Sequence, residues 1–271
     1  MRRALPLAGC ALRFTSCLLL PSAALAANPM VRFDVPGFGD FDVELCQEVS
    51  ANCLGAAPNT VAYFQSYVER GAYLNLGGNG PSSFIHRSIS SFVIQGGGYV
   101  VRDFQDGHGP VVDCVEDPDP MFMCMFSDPP VKNEFNQSNR RGTVALARTA
   151  GQPDSGVSEW FINLGDNGGS PNNLDSTDGG YTVFGVVVGD GMMIVDEIAA
   201  LSRLDLSGGN PSSPFTSVPV TDAYPCNAMN GVCTADYIPY LVYYSVPEPS
   251  AGVEAVTALA GLALLGARRP R

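Results

Sequence analysis

A short apolar strand that runs into three glycines most constrains the fold of this chain. Residues 92–94 are aromatic or β-branched, which is typical of a buried strand. The glycines at 96–98 let the backbone bend and let another segment approach closely. Arg87 and Gln95 flank the strand with a permanent cation and an amide. Taken alone, the stretch fits either an edge strand with a solvated arginine or a site that grips a peptide.

Three sequence motifs resemble those of one enzyme family. Residues 84–98 read FIHRSISSFVIQGGG and are similar to the F-H-R-x-x-x-x-F-x-x-Q-G-G signature of cyclophilins, the peptidyl-prolyl cis-trans isomerases. Residues 141–149 (RGTVALART) and 154–163 (DSGVSEWFIN) resemble the bacterial R-G-T-x-A-M-A-R-T…D-S-x-x-S-Q-F-F-I-N run. Residues 174–185 (LDSTDGGYTVFG) resemble the L-D-x-x-x-x-V-F-G motif. Because the three motifs occur in the family's order, a chance match is a poor explanation.

The resemblance implies rotation about the amide bond that precedes a proline. No covalent bond breaks in this reaction, so we expect no cofactor, metal or nucleophile. The twisted amide has a more basic proline nitrogen, and a donor aimed at it stabilises the transition state. The resemblance gives this role to Arg87, and it treats His86 as a structural hydrogen-bond partner. The catalytic residues implied are Arg87, Phe92, Gln95 and Phe161, and the substrate-binding residues are Val93, Ala147, Arg148, Thr149, Glu159, Trp160, Leu174 and Tyr181.

The chain departs from the family pattern at several site positions. Glu159 replaces a glutamine, so an acceptor without a donor stands there, and Trp160 is the aromatic residue that follows. Tyr181 stands where many eukaryotic members have histidine. Asn173 replaces the tryptophan that contacts cyclosporin, so we expect this drug to bind at least tenfold more weakly.

Hydrophobic patterning predicts a mainly β fold with two or three helices. Residues 31–35 and 41–45 alternate between apolar and polar, which indicates a hairpin. A helix should begin at Pro58 and end near residue 70, and a second should span 192–201 with Met193 facing inward. Many short strands and few helices favour a closed antiparallel β-barrel capped by helices. The resemblance implies eight strands and one domain over residues 30–246, with loop insertions that carry cysteines.

The two ends of the chain indicate export. Residues 1–26 have an arginine-containing start, an apolar run and an A-x-A cleavage site, which is typical of a signal peptide. Residues 247–271 combine Val-Pro-Glu-Pro, an apolar stretch and a basic end, and they resemble a PEP-CTERM sorting signal. A plain C-terminal anchor or a terminal amphipathic helix is the alternative. We therefore expect the protein in the periplasm, at the cell surface or outside a Gram-negative bacterium.

The cysteines fit an exported protein. Six of the eight remain after removal of the signal peptide, and an even number in an exported chain indicates disulfides. They fall as three close pairs: Cys46 and Cys53, Cys114 and Cys124, Cys226 and Cys233. Pairing within each is the simplest of the 15 connectivities that six cysteines allow. Zinc is the rival interpretation, but the chain has no C-x-x-C spacing.

Charge limits the partners. The formal net charge is −12 at pH 7, which disfavours nucleic acid and anionic lipid surfaces. We expect a monomer that binds proline-containing peptides or unfolded protein clients, with transient membrane association through the C-terminal helix. Two functions stay open: an exported prolyl isomerase that assists folding, and a cyclophilin-fold module for peptide binding or surface display with little activity.

Overall fold

The computed structural model describes residues 27–73, 81–102, 123–124, 128–221, 238 and 240–245. The predicted signal peptide, the predicted sorting tail and three of the cysteines (Cys114, Cys226 and Cys233) lie outside these residues, as does most of the proline-rich loop at 107–130. Two α-helices are described, α1 (Pro58–Glu69) and α2 (Gly191–Ala199). The strands are β1 (Met30–Val35), β2 (Gly39–Leu45), β3 (Pro81–Ser83), β4 (Arg87–Ile89), β5 (Val93–Gly96), β6 (Tyr99–Arg102), β7 (Met123–Cys124), β8 (Thr143–Leu146), β9 (Trp160–Asn163), β10 (Val183–Val187), β11 (Ser202–Leu204), β12 (Val218–Val220) and β13 (Leu241–Tyr244).

The predicted N-terminal hairpin is confirmed. Strands β1 and β2 pair antiparallel from Met30 opposite Glu44 to Val35 opposite Gly39. Every second residue is buried, as the alternating sequence requires. The rings of Phe33 and Phe41 stack with centroids 5.0 Å apart on the buried face. The hairpin therefore supplies one wall of the hydrophobic core.

Eight strands form one antiparallel sheet, in the order β13-β1-β2-β10-β8-β9-β5-β4. The prediction of a closed barrel is wrong: within the described residues the sheet is open, with β13 and β4 at its edges. The outer edge of β4 is already taken, because Ser88 N donates to Ser217 O over 2.8 Å and Ser217 Oγ donates to Ser88 O over 2.6 Å. Two backbone bonds, Ile85 N to Ile238 O and Tyr240 N to Ser83 O, join the segments that precede these edge strands. The sheet thus curls without closing into a continuous ladder.

Helix α1 covers the core with the face predicted from its periodicity. Pro58 stands in the first turn, where its missing N–H costs nothing, and Val61, Phe64 and Tyr67 are buried. Glu134 caps the helix from a distant loop, because its carboxylate accepts from Thr60 N over 2.7 Å and from Thr60 Oγ1 over 2.8 Å. The helix start is therefore fixed by tertiary structure rather than by a local capping residue.

Helix α2 differs from its prediction in one respect. Val195 and Ile198 are buried as expected, but Met193 is 69% exposed and faces solvent, so its inward assignment is wrong. Met193 lies two residues before the buried Val195, and at 3.6 residues per turn this places it about 200° away around the helix, on the opposite face. Among the described residues, neither helix has the length and apolar character needed to cross a membrane.

One predicted disulfide is present. Cys46 and Cys53 are bonded, and both are fully buried. The bridge closes the loop that follows β2, and Gln137 holds this loop by accepting from Leu54 N over 2.9 Å and donating to Gly55 O over 3.3 Å. The other two pairings stay predictions, since their cysteines are not fully described.

Candidate active site

A row of five residues crosses one face of the sheet. Arg87 on β4 stands opposite Gln95 on β5, and Gln95 stands opposite Phe161 on β9. Phe161 is in turn opposite Ala145 on β8, and Ala145 is opposite Val183 on β10. Directly paired residues on neighbouring strands point to the same face. The sheet register therefore brings a guanidinium, an amide and a phenyl ring side by side.

The apolar end of this row belongs to a small cluster that is separate from the main core. We call it the pocket cluster; its members are Phe92, Val93, Ala145, Ala147, Phe161, Leu174, Tyr181 and Val183. Phe161 is 5% exposed, and the ring of Tyr181 meets it edge-on with centroids 5.7 Å apart. The structure therefore brings together all the apolar residues predicted for the site except Trp160.

The polar end of the row is a chain of hydrogen bonds. Arg87 Nη1 donates to Gln95 Oε1 over 3.2 Å, and Gln95 Nε2 donates to Glu159 Oε2 over 2.6 Å. Arginine can only donate and an ionised glutamate can only accept, so this arrangement admits one orientation of the Gln95 amide. His86 is fully buried, with Nε2 3.5 Å from Glu159 Oε2. This contact is longer than a regular hydrogen bond, and neither imidazole nitrogen has a partner of regular geometry within the described part of the chain.

Burial and charge act against each other at this polar end. Partial burial lowers the pKa of the Arg87 guanidinium, and the charge of Glu159 opposes that change. Arginine still stays protonated at any physiological pH. Burial also acts to raise the pKa of the Glu159 carboxyl, but His86, Gln95 and the charge of Arg87 outweigh it, so this pKa lies below its ordinary value of 4.5. The site thus holds a cation and an anion bridged by one amide.

Two predicted substrate-binding residues, Arg148 and Thr149, come shortly after β8, but their side chains contribute little to the pocket cluster. Arg148 has a side chain only 2% exposed, and its guanidinium lies 4.1 Å above the ring of Tyr181. Its Nη2 donates to Thr177 O over 2.8 Å and to Asp178 O over 3.3 Å, so the side chain holds the neighbouring loop. Thr149 is exposed, and its backbone N–H is bonded to Ser155 Oγ. Arg148 therefore packs against one face of the Tyr181 ring and helps to hold it in place.

Trp160 does not lie with the other predicted site residues. It is fully buried in the main core, where its ring packs edge-on against Phe33 and Tyr240 at centroid distances of 5.0 and 5.2 Å. Successive residues of a strand point to opposite faces, so Trp160 must face away from the side occupied by Phe161. This alternation was available from the sequence and excludes a pocket lined by both residues.

The glycine run is explained by the same tryptophan. A Cβ on Gly97 would clash with Ser158 O and lie 2.8 Å from the Trp160 ring, and Gly97 has a φ of +94°. A Cβ on Gly96 would also lie 2.8 Å from that ring. These glycines therefore serve close packing against Trp160 rather than direct contact with a ligand.

Sequence reasoning missed two members of the pocket cluster, Ala145 and Val183, both fully buried. Each lies two residues from a residue that was predicted, Ala147 and Tyr181 respectively, so strand periodicity was the available signal. Asn173, the position expected to weaken cyclosporin binding, is exposed and has a φ of +52°. Across the described ranges, no group of three or more His, Cys, Asp or Glu side chains is placed to hold a metal ion.

Comparisons with known proteins point to one family. The family model described as "Cyclophilin type peptidyl-prolyl cis-trans isomerase/CLD" matches residues 30–223. A peptidyl-prolyl cis-trans isomerase of Acinetobacter baylyi is 36% identical over 183 residues, which cover 67% of this chain and 77% of that protein. Peptidyl-prolyl cis-trans isomerase B of Escherichia coli is 36% identical over 149 residues, covering 54% of this chain and 74% of that protein. A crystal structure of a cyclophilin type isomerase from Cryptosporidium parvum matches with a TM-score of 0.45 and 17% identity, over 81% of this chain and 99% of that one.

Proposed function

Because this chain belongs to the cyclophilin family of peptidyl-prolyl cis-trans isomerases, we propose that it isomerises X-Pro bonds of exported proteins and so assists their folding. The uncatalysed rotation faces a barrier of about 18–20 kcal/mol and takes tens to hundreds of seconds. At that rate, the isomerisation can limit the folding of a client protein. The polar end of the residue row acts on the amide bond, and the apolar end holds the proline ring.

Arg87 acts on the twisted amide. Rotation removes the amide resonance and makes the proline nitrogen pyramidal and more basic, so a donor aimed at that nitrogen binds the twisted state better than either planar state. Gln95 Oε1 takes one donor, Nη1, and leaves the rest of the fork for substrate. Gln95 also contacts the substrate backbone. Glu159 binds the other end of the Gln95 amide and thereby supports this arrangement.

The pocket cluster holds the proline ring while the carbonyl side turns. Phe92, Val93, Phe161 and Leu174 form apolar walls, and Tyr181 closes one side with its ring against Phe161. Ala147, which packs in the pocket cluster, lies along the peptide. Fixing one side of the amide while the other rotates is what separates an isomerase site from a simple binding groove.

The observation that carries this proposal is the continuous row from Arg87 through Gln95 to Phe161. The test is NMR exchange spectroscopy on an Ala-Pro peptide with the mature chain from residue 27. We expect cis-trans exchange well above the uncatalysed rate, with peptide-induced shifts at Phe92 and Phe161 and none at Trp160. Peptide binding without exchange would contradict the proposal and favour the display-module alternative.

Export is the second part of the proposal. The signal-peptide pattern of residues 1–26 supports it, and so does the Cys46–Cys53 disulfide, because disulfides persist in oxidising compartments outside the cytosol. The isomerase domain would span residues 30–246 and act on clients in the periplasm or at the cell surface. Fractionation of a Gram-negative host that expresses the full chain tests this, and a product confined to the cytosol with residues 1–26 retained would refute it.

The tail at 247–271 is the third part. Its Val-Pro-Glu-Pro motif, apolar stretch and basic end support a PEP-CTERM-like sorting signal that holds the protein at the membrane until it is processed. Intact-mass spectrometry of the exported protein should show loss of the apolar stretch in a host with the sorting machinery. A plain anchor would keep residues 251–267 and stay in the membrane fraction.

A further inference from the structure

Asn167 links two walls of the pocket cluster. It lies in the loop after β9, is 1% exposed, and its Nδ2 donates to Phe92 O over 2.8 Å. Its backbone O accepts from Leu174 N over 2.9 Å. Phe92 comes from the turn before β5 and Leu174 from the long loop before β10, so one buried residue joins two separate segments of the pocket.

The orientation of the Asn167 amide is determined by its neighbours. Phe92 O can only accept, so the amide must present its nitrogen there. The same Nδ2 donates to Asn163 Oδ1 over 2.7 Å, and Asn167 Oδ1 accepts from Asn172 Nδ2 over 2.7 Å. The side chain therefore uses both of its hydrogens and its oxygen, and no rotated state of the amide would satisfy the same partners.

A second asparagine extends the link to the third wall. Asn167 N donates to Asn139 O over 2.8 Å, and Asn139 Nδ2 donates to Tyr181 O over 3.1 Å and to Asp175 Oδ1 over 3.1 Å. Tyr181 N in turn donates to Leu174 O over 2.9 Å. The loop walls of the pocket are thus tied to one buried amide network, whereas Val93 and Phe161 are held by the sheet.

This network matters because loop segments have no ladder of their own to fix them. Phe161 keeps its place through the hydrogen bonds of β9, but Leu174 depends on bonds made by loop residues. A binding wall made by a loop is only as well placed as the residues that support it.

We propose that Asn167 is a positioning residue that sets the separation of Phe92 and Leu174 and thereby the affinity for the proline ring. The proposal rests on the proposed isomerase function, since it assigns the pocket cluster to proline. Asn167 does not touch the rotating amide, so its loss weakens binding of the planar and twisted states alike. Such a loss raises KM and leaves kcat nearly unchanged.

The test compares Asn167→Ala with Asn172→Ala in the mature chain. Both variants remove one amide from the same loop, but Asn172 is bonded to Asn167 Oδ1 and not to a pocket wall. We expect Asn167→Ala to raise KM, and the Kd of an Ala-Pro peptide, about tenfold with kcat within about threefold. Asn172→Ala should change either constant less than twofold. Asn167→Ser serves as a second variant should the alanine variant not fold, and it should lie between wild type and the expected alanine value.

Thermal unfolding of each variant shows that the assays are made on folded protein. Equal effects of the Asn167 and Asn172 variants on KM and Kd would overturn the proposal, and so would a fall in kcat at constant KM. A wild-type protein that binds the peptide without exchange would refute the proposed function alone, and the comparison of Kd values would still decide the role of Asn167.

Discussion

Replacement of Arg87 by alanine tests the proposed mechanism most directly. The side chain is half-buried, stands at the polar end of the residue row, and makes its described hydrogen bond to Gln95. The substitution removes the donor aimed at the proline nitrogen but leaves the pocket cluster intact. We therefore expect a loss in kcat with a much smaller change in peptide affinity.

The magnitude follows from the bond that is lost. A hydrogen bond to a charged group contributes about 1.5–3 kcal/mol. At 1.36 kcal/mol per tenfold in rate, this corresponds to a fall in kcat/KM of about 10- to 150-fold. Partial burial of the guanidinium, which lowers its pKa, also strengthens its electrostatic effect, so we expect a loss near the upper end of that range. Arg87→Lys should recover less than about tenfold, because an ammonium cannot reproduce the planar fork.

The assay is NMR exchange spectroscopy on an Ala-Pro peptide, which reports turnover and binding in one sample. Arg203→Ala is the matched control: Arg203 lies on β11, is exposed, and donates to Ser90 Oγ just after β4. It should leave both constants unchanged. An Arg87→Ala variant with wild-type exchange would place the active site elsewhere, and an equal loss in the Arg203 variant would show that the effect is a general charge effect.

Three further predictions concern the charge, the core and the bridge. The pKa of Glu159 is lowered, so its charge and its hydrogen bond to Gln95 are present at neutral pH and are lost only as the pH falls through a value below 4.5. In that range kcat/KM of wild type should fall and that of Glu159→Gln should not. Coincident pH profiles of the two proteins would contradict the role given to Glu159. Trp160→Ala should lower the free energy of unfolding by about 3–5 kcal/mol in urea titrations, whereas Phe161→Ala should chiefly raise the Kd of an Ala-Pro peptide; equal effects on binding would count against the opposite-face assignment. Replacing Cys46 and Cys53 by serine opens a loop with a sequence separation of 7 and should cost about 2 kcal/mol of stability; kcat/KM should hold within twofold, and loss of activity in folded protein would link the bridge to the site.

Periodicity and motif matching predicted the elements in which the pattern of apolar residues alone determines which side chains are buried. The alternation of β1 and β2 and the buried face of α1 follow from which residues are apolar, and both are confirmed. The motifs also placed Arg87, Gln95 and Phe161 together, and the sheet register agrees.

What the sequence did not predict depends on direction and on distant contacts. A motif assigns a position but not the face to which a side chain points, which is why Trp160 was grouped with Phe161. Arg148 looked available because its loop partners, Thr177 and Asp178, come from a distant part of the sequence. The prediction of a closed barrel was wrong for a similar reason: the edge of β4 bonds to Ser217, which lies over a hundred residues further along the chain.

The back-to-back placement of Trp160 and Phe161 has a consequence for the motions of this protein. Strands β5 and β9 carry the site on one face and, on the other, Trp160, the largest fully buried side chain of the described residues. We therefore expect the backbone amides of Gln95 and Phe161 to be among those that exchange with solvent most slowly. The pocket cluster then has a rigid floor made by these two strands, and its loop walls at Leu174 and Tyr181 depend on the amide network for their position.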